Sequence, residues 1–247
     1  GPAYLGPEQV KAALEISISE AEVPEIQFTE EELRQAKELG QYLILRVDET
    51  NGGEPITMAW LEEKLQPRLD KQGLGKVFYK ADLYKDEAWF TEDKPRFRWA
   101  LVTKGVISDS TDKNYLEQTQ AIVDYLAVDV FAGKVPHEYK EAILEYKGQR
   151  HQLQALMNTD WKKAAKQLAE LKLNRLTRQR PVEVIYDFLV YLLNNGERLL
   201  ESKYTWTVAQ ASGGCLVNVG CAGEFGALVG GNAPKNSYPP LGVCVSR

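Results

Sequence analysis

From Val208 to Arg247 the chain changes character, and the change calls for short strands and turns rather than more helix. These forty residues hold eight of the nineteen glycines and all three cysteines, Cys215, Cys221 and Cys244. They carry only three charged residues, Glu224, Lys235 and Arg247, in a chain that is 26% charged. A stretch so rich in glycine interrupts helices. It is too polar for a membrane span and too poor in charge for a solvated tail. It reads as a surface of strands and loops carried on a scaffold built upstream.

That scaffold has enough material. The chain is 247 residues long and 44% hydrophobic, sufficient for one large domain, with residues 1–27 as an N-terminal arm. The net charge of -5 argues against a nucleic-acid footprint spread over the surface, so no nucleic-acid partner is expected. Seven Lys or Arg stand between Trp161 and Arg180 against Glu170 alone, and as a block on a helix they read as a solvated face. Three cysteines, all in the tail, set up no disulfide framework. No apolar run reaches the eighteen or so residues of a span, and no leader is recognisable, leaving cytoplasm and cell surface both open. Gly1-Pro2, without a Met, reads as the scar of a protease cut.

Local signals place the elements. Pro7 to Glu20 has the apolar spacing of a helix through Val10, Ala13, Leu14 and Ile18. Thr29 with Glu32 forms a capping-box pattern for a helix that Gly40 closes, and Thr57 caps another through Trp60, Leu61 and Leu65. Gln41 to Val47, Gly75 to Tyr84 and Phe97 to Thr103 read as strands, with a charged turn from Lys85 to Pro95. Residues 114–198 are mainly helical, over Tyr115 to Val130, Glu138 to Met157, Trp161 to Leu176 and Val182 to Asn194.

Catalytic signals are sparse. His137 and His151 are the two histidines, and Glu141 follows His137 by four, but neither a second His nor a C-x-x-C completes a zinc pattern. Gly220, Gly223 and Gly226 lack the lysine and following helix of a phosphate loop. No base or cation neighbours the cysteines in sequence to generate a thiolate. Asn218, Asn232, Asn236, Ser237 and Tyr238 instead resemble a recognition surface, where Tyr supplies rigid area and Asn, Ser and Gly adaptable hydrogen bonds. No catalytic residue, metal or cofactor is expected.

Several short motifs occur in a set order: Arg180-Pro181-Val182-Glu183 opening a helix, Tyr204-Thr205-Trp206-Thr207, Leu216-Val217-Asn218-Val219-Gly220, and the closing Leu241-Gly242-Val243-Cys244-Val245-Ser246-Arg247. In these the chain resembles the C-type-lectin-like fold shared by formylglycine-generating-enzyme relatives and the variable proteins of diversity-generating retroelements. The resemblance covers about a quarter of the chain. It implies an α+β fold of small twisted antiparallel sheets with a large helical insertion, residues 28–247 forming the domain and residues 204–247 the variable ligand-binding region. It implies a non-enzymatic protein whose adenine-rich codons are rewritten, binding a variable ligand that is itself a protein. On that pattern the variable positions are Cys215, Asn218, Cys221, Ala222, Phe225, Asn236, Ser237, Tyr238 and Cys244, all expected to face outward. Phe225 and Tyr238 are the expected anchors of affinity.

Two other readings stay open: a formylglycine-generating-type oxidase, with a cysteine pair on copper, and a structural or assembly subunit with no diversified site. The sugar-binding motifs and calcium-ligating carboxylates of true lectins are missing from the tail, so calcium-dependent sugar binding is not expected.

Overall fold

A computed structural model describes residues 3–247; Gly1 and Pro2, read above as a cleavage scar, lie outside them. The chain is α+β and clusters into two units, each assembled from three separate segments. Unit 1 takes the residues up to Lys104, with Pro181–Ser202 and Gly220–Val229. Unit 2 takes Gly105–Arg180, Lys203–Val219 and Gly230–Arg247.

Unit 1 is built on β2 (Gln41–Arg46), every residue of which is buried. It pairs antiparallel with β4 (Arg98–Thr103), Gln41 opposite Thr103 and Arg46 opposite Arg98. On its other edge β1 (Ala3–Leu5) runs parallel, Ala3 opposite Tyr42. Residues 3–5 of the expected N-terminal arm are thus part of the sheet. Helix α1 (Pro7–Leu14) stops short of the expected Glu20 because Glu15 turns left-handed at φ 59°, and it packs on α9 (Pro181–Asn195). Helix α2 (Glu30–Glu38) carries the capping box read from Thr29 and Glu32, and Thr57 caps α3 (Met58–Gln72) as expected.

The expected strand from Gly75 to Tyr84 shrinks to β3 (Phe78–Tyr79). Lys80, at φ 54°, ends it and a 3-10 turn follows over Ala81–Tyr84. The charged turn hides α4 (Ala88–Thr91), which buries Trp89 and Phe90 between exposed acids. Two consecutive aromatics inside a polar run carry no 3.6-residue period, which is why the sequence reads as a loop there.

In unit 2, Asn114 caps α5 (Tyr115–Asp124) through Glu117, and the helix runs on as a π-turn over Tyr125–Val130. After α6 (His137–Thr159) the expected single helix from Trp161 splits into α7 (Trp161–Glu170) and α8 (Lys172–Thr177). Leu171 divides them, extended at ψ 133° and buried. The tail supplies β5 (Tyr204–Gln210), β6 (Leu216–Gly223), β7 (Gly226–Asn232) and β8 (Leu241–Gly242). In unit 1 β3 runs parallel to β7, and in unit 2 β5 runs parallel to β8, so the pairing is mixed and not purely antiparallel as expected. Among the described residues no helix is long and apolar enough to cross a membrane.

Candidate ligand-binding surface

The tail strands of unit 2 rest on a buried polar frame. Arg178, only 3% exposed, spends its whole guanidinium on neutral oxygens. Nε donates to Asn174 Oδ1 at 2.7 Å, Nη1 to Gln118 Oε1 at 2.9 Å and the Trp206 carbonyl at 3.2 Å, and Nη2 to the Tyr115 carbonyl at 3.0 Å and Thr119 Oγ1 at 3.3 Å. The guanidinium carbon lies 3.6 Å from the centre of the Tyr115 ring, a stacked cation–π contact. Burial pulls the guanidinium down to about 10, still a full cation at neutral pH. Arg178 belongs to the block read from sequence as solvated. Lys162, Lys163, Lys166, Lys172 and Arg175 do face solvent, whereas Arg178 joins α5, α8 and β5.

The Tyr204-Thr205-Trp206-Thr207 motif repeats this theme of hydrogen bonds closed inward. Trp206 Nε1 donates to the Leu216 carbonyl at 3.0 Å and Thr207 Oγ1 to the Val217 carbonyl at 2.7 Å. Thr205 Oγ1 accepts from the Cys244 amide at 2.8 Å, and Ser110 Oγ from the Val243 amide at 3.2 Å. Residues 241–247 are all buried, and the Arg247 guanidinium sits 5.4 Å from the Phe131 ring.

Tyr115 stands edge-on to Trp206 at 5.0 Å and donates its hydroxyl to the Thr207 carbonyl at 2.8 Å. Burial raises its phenol to about 12, with Arg178 pulling the other way. A folded-state value above the ordinary value of about 10 adds stability that is complete below pH 10 and lost as pH climbs toward 12. Denaturant midpoints measured from pH 9 to 12 will therefore fall less steeply in Tyr115→Phe than in the parent. The difference in slope reports the phenol together with its coupling to Arg178.

Of the nine expected variable positions, the structure turns three inward. Asn218, at 1% exposure, Ala222 and Cys244 are buried. The run from Leu216 to Gly220 is covered throughout, so Asn218 has no open face to point to. Asn218 Oδ1 accepts from Tyr238 at 3.4 Å, and a side chain on Gly230 would meet it at 3.1 Å. Cys215, Cys221 and Tyr238 are half-buried, Tyr238 edge-on to Tyr204 at 5.8 Å. Asn236 and Ser237 are exposed, and so is Phe225, at 71%. The positions divide between the units: Cys221, Ala222 and Phe225 in unit 1, the others in unit 2.

Phe225 owes its position to a turn fixed by its backbone. Gly226 follows the two-residue turn at φ 103°, and a side chain there would meet the Phe78 carbonyl carbon at 2.4 Å, so only glycine closes the hairpin. The Glu224 carbonyl accepts from the Lys76 amide at 3.0 Å. Arg198 Nη1 donates to the Gly223 carbonyl at 2.9 Å and Nη2 to the Leu74 carbonyl. With its backbone held, Phe225 projects beside Tyr79 at 6.4 Å, and Lys80 Nζ lies 5.0 Å from the Tyr79 ring. Tyr79 belongs to this surface and was missed in the sequence, where it sits inside an apparent core strand. The loop after β7 is built likewise: the Pro234 carbonyl accepts from the Tyr115 amide at 2.9 Å, and the Asn236 amide donates to the Ala233 carbonyl at 3.0 Å.

Cys221 interrupts β6 at φ 45°, where a side chain crowds its own backbone. Cys221→Gly removes that crowding at the cost of a looser unfolded chain. It is expected to raise stability by about 0.5 kcal/mol in a urea titration.

All three cysteines are free thiols, and no cluster of three or more His, Cys, Asp or Glu able to hold a metal occurs among the described residues. His137 does meet Glu141, at 3.2 Å, but both are exposed. The chain matches no family model, no curated protein and no solved structure.

Proposed function

We propose that this chain is a non-enzymatic ligand-binding protein displaying a diversified C-terminal surface on a C-type-lectin-like scaffold, in the manner of the variable proteins of diversity-generating retroelements. The observation that carries this reading is a division of labour within the tail. Around Phe225, Asn236 and Ser237 the backbone is held by hydrogen bonds donated by Lys76 and Arg198 in one unit and by Tyr115 in the other. The side chains themselves lie in solvent. Such positions accept new residues without loss of the fold, which is what a rewritten surface demands. The set is smaller than the sequence implies, since Asn218, Ala222 and Cys244 serve the interior. Phe225 beside Tyr79 offers an aromatic anchor of the type that dominates protein recognition.

Two measurements test the reading. The gene should lie beside a reverse transcriptase and a template repeat with AAC or AAT codons at the exposed positions; a locus with neither sinks it. Separately, Phe225→Ser, Asn236→Tyr and Ser237→Phe should each leave the thermal midpoint within roughly 2 °C of the parent. A fall of 8 °C in any of them would show that the position supports the fold rather than a display.

A further inference from the structure

The basic block of unit 2 is an unpartnered face, and its composition identifies what it fits. Lys162, Lys163, Lys166, Lys172 and Arg175 all project from α7 and α8 into solvent. None makes an ion pair, although Asp160 and Glu170 bracket α7 in the sequence. Asp160 caps the helix by accepting from the Lys163 amide, and Glu145 accepts from the Lys172 amide. The cations gather on a chain whose net charge is -5. Lys162 and Lys166 are one turn apart, about 6 Å along the axis. Lys172 and Arg175 lie on α8, the next helix. Separate exposed cations on successive turns, none of them in an ion pair, match a ligand whose negative charge repeats along a chain.

Two further observations narrow the ligand. The aliphatic residues Ala164, Ala165 and Leu168 of α7 are buried, and only the small Ala169 is half-exposed, which leaves no large aliphatic side chain on this helix to enter a bilayer. The half-exposed Trp161 starts α7, with Lys162 Nζ 5.5 Å from its ring centre. The polar turn between β5 and β6 adjoins it, since Gln210 Nε2 donates to the Lys162 carbonyl at 3.0 Å and Gly214 abuts the Lys162 side chain. Cations that follow a backbone, beside an aromatic on which a base can stack, are the recurring apparatus for single-stranded nucleic acid. We infer that the α7–α8 face binds single-stranded nucleic acid without sequence preference, tethering the protein while the tail surface remains free for its own ligand. The proposal departs from the expectation drawn from the overall acidic balance, because electrostatic binding is decided by local and not net charge.

The test is fluorescence anisotropy of the full chain with a labelled thymidine 20-mer. With three to five phosphate contacts, affinity should fall roughly 20- to 130-fold between 50 and 200 mM salt. Lys162→Glu with Lys166→Glu should weaken binding at least tenfold and flatten the salt dependence. Trp161→Ala should weaken it about 5- to 100-fold with the salt slope unchanged. Lys134→Glu with Lys140→Glu, an equal charge change at exposed sites of the same unit, should leave affinity within twofold. The inference is overturned if the oligonucleotide is not bound at 50 mM salt, or if the two double variants weaken binding equally. It is also overturned if vesicles one-third phosphatidylserine capture the chain while the oligonucleotide does not. Far-UV circular dichroism of each variant separates loss of binding from loss of fold.

Discussion

Arg178→Lys lowers the stability of the protein by about 4 kcal/mol, in spite of keeping the charge. A lysine brings three donors on a flexible stem, where the arginine brings five in a rigid plane. It therefore strands at least two of the oxygens now satisfied on Asn174, Gln118, Trp206, Tyr115 and Thr119, each costing about 1–3 kcal/mol when buried unpaired. The stacking on Tyr115 is lost as well. For a chain of this length the change corresponds to a drop of roughly 8–16 °C in thermal midpoint. Calorimetry reads it directly. A drop below 3 °C would mean that the network is incidental to the fold of unit 2. Arg178→Gln should be at least as damaging, since it supplies two donors and cannot reach as far.

Asp187→Asn is the second large effect, about 3–5 kcal/mol, and it strikes unit 1. Arg46 from β2 forks onto this carboxylate, Nε to Oδ1 at 3.0 Å and Nη2 to Oδ2 at 2.8 Å, while Nη1 reaches Glu183 at 2.8 Å. Tyr42 donates to the same Asp187 oxygen at 3.0 Å. Burial works against the Arg46 charge, but Asp187 and Glu183 outweigh it and hold the guanidinium above its ordinary value. The amide offers one acceptor in place of two and no charge, so the guanidinium keeps only its half-buried partner. Urea unfolding measures the loss. Replacing both members, Arg46→Met with Asp187→Leu, should recover most of it, because a buried pair exchanged for packed apolar groups is often near neutral. If the double variant is no better than Asp187→Asn alone, the site depends on the charges themselves.

Much of this architecture can be read from local signals. Thr29 with Glu32, Asn114 and Thr57 mark their helices because a cap is settled by neighbours three residues away. The run from Gln41 reads as a strand because it is buried on both sides. What eludes local reading depends on distant partners. Arg178 looks like its solvated neighbours until Tyr115 and Gln118, about sixty residues earlier, are brought beside it. Glu183 belongs to a motif quoted for resemblance, while its work is to meet Arg46. Asn218 looks like a display residue from its type, and only the cover over both sides of β6 shows otherwise. On the surface side, Asn236 and Ser237 were legible from composition, whereas Phe225 was named only through the resemblance. Tyr79 was not, because Lys80 breaks its strand in a conformation that no periodicity announces.

The burial of residues 241–247 bears on how such a tail evolves. Loss of these residues would remove Val243 and Val245 from the interior, and with them the Cys244 and Ser246 amides that bond Thr205 and Thr177. If the tail is rewritten as proposed, a frameshift or premature stop within it is therefore expected to cost the fold, whereas an in-frame substitution at an exposed position is not.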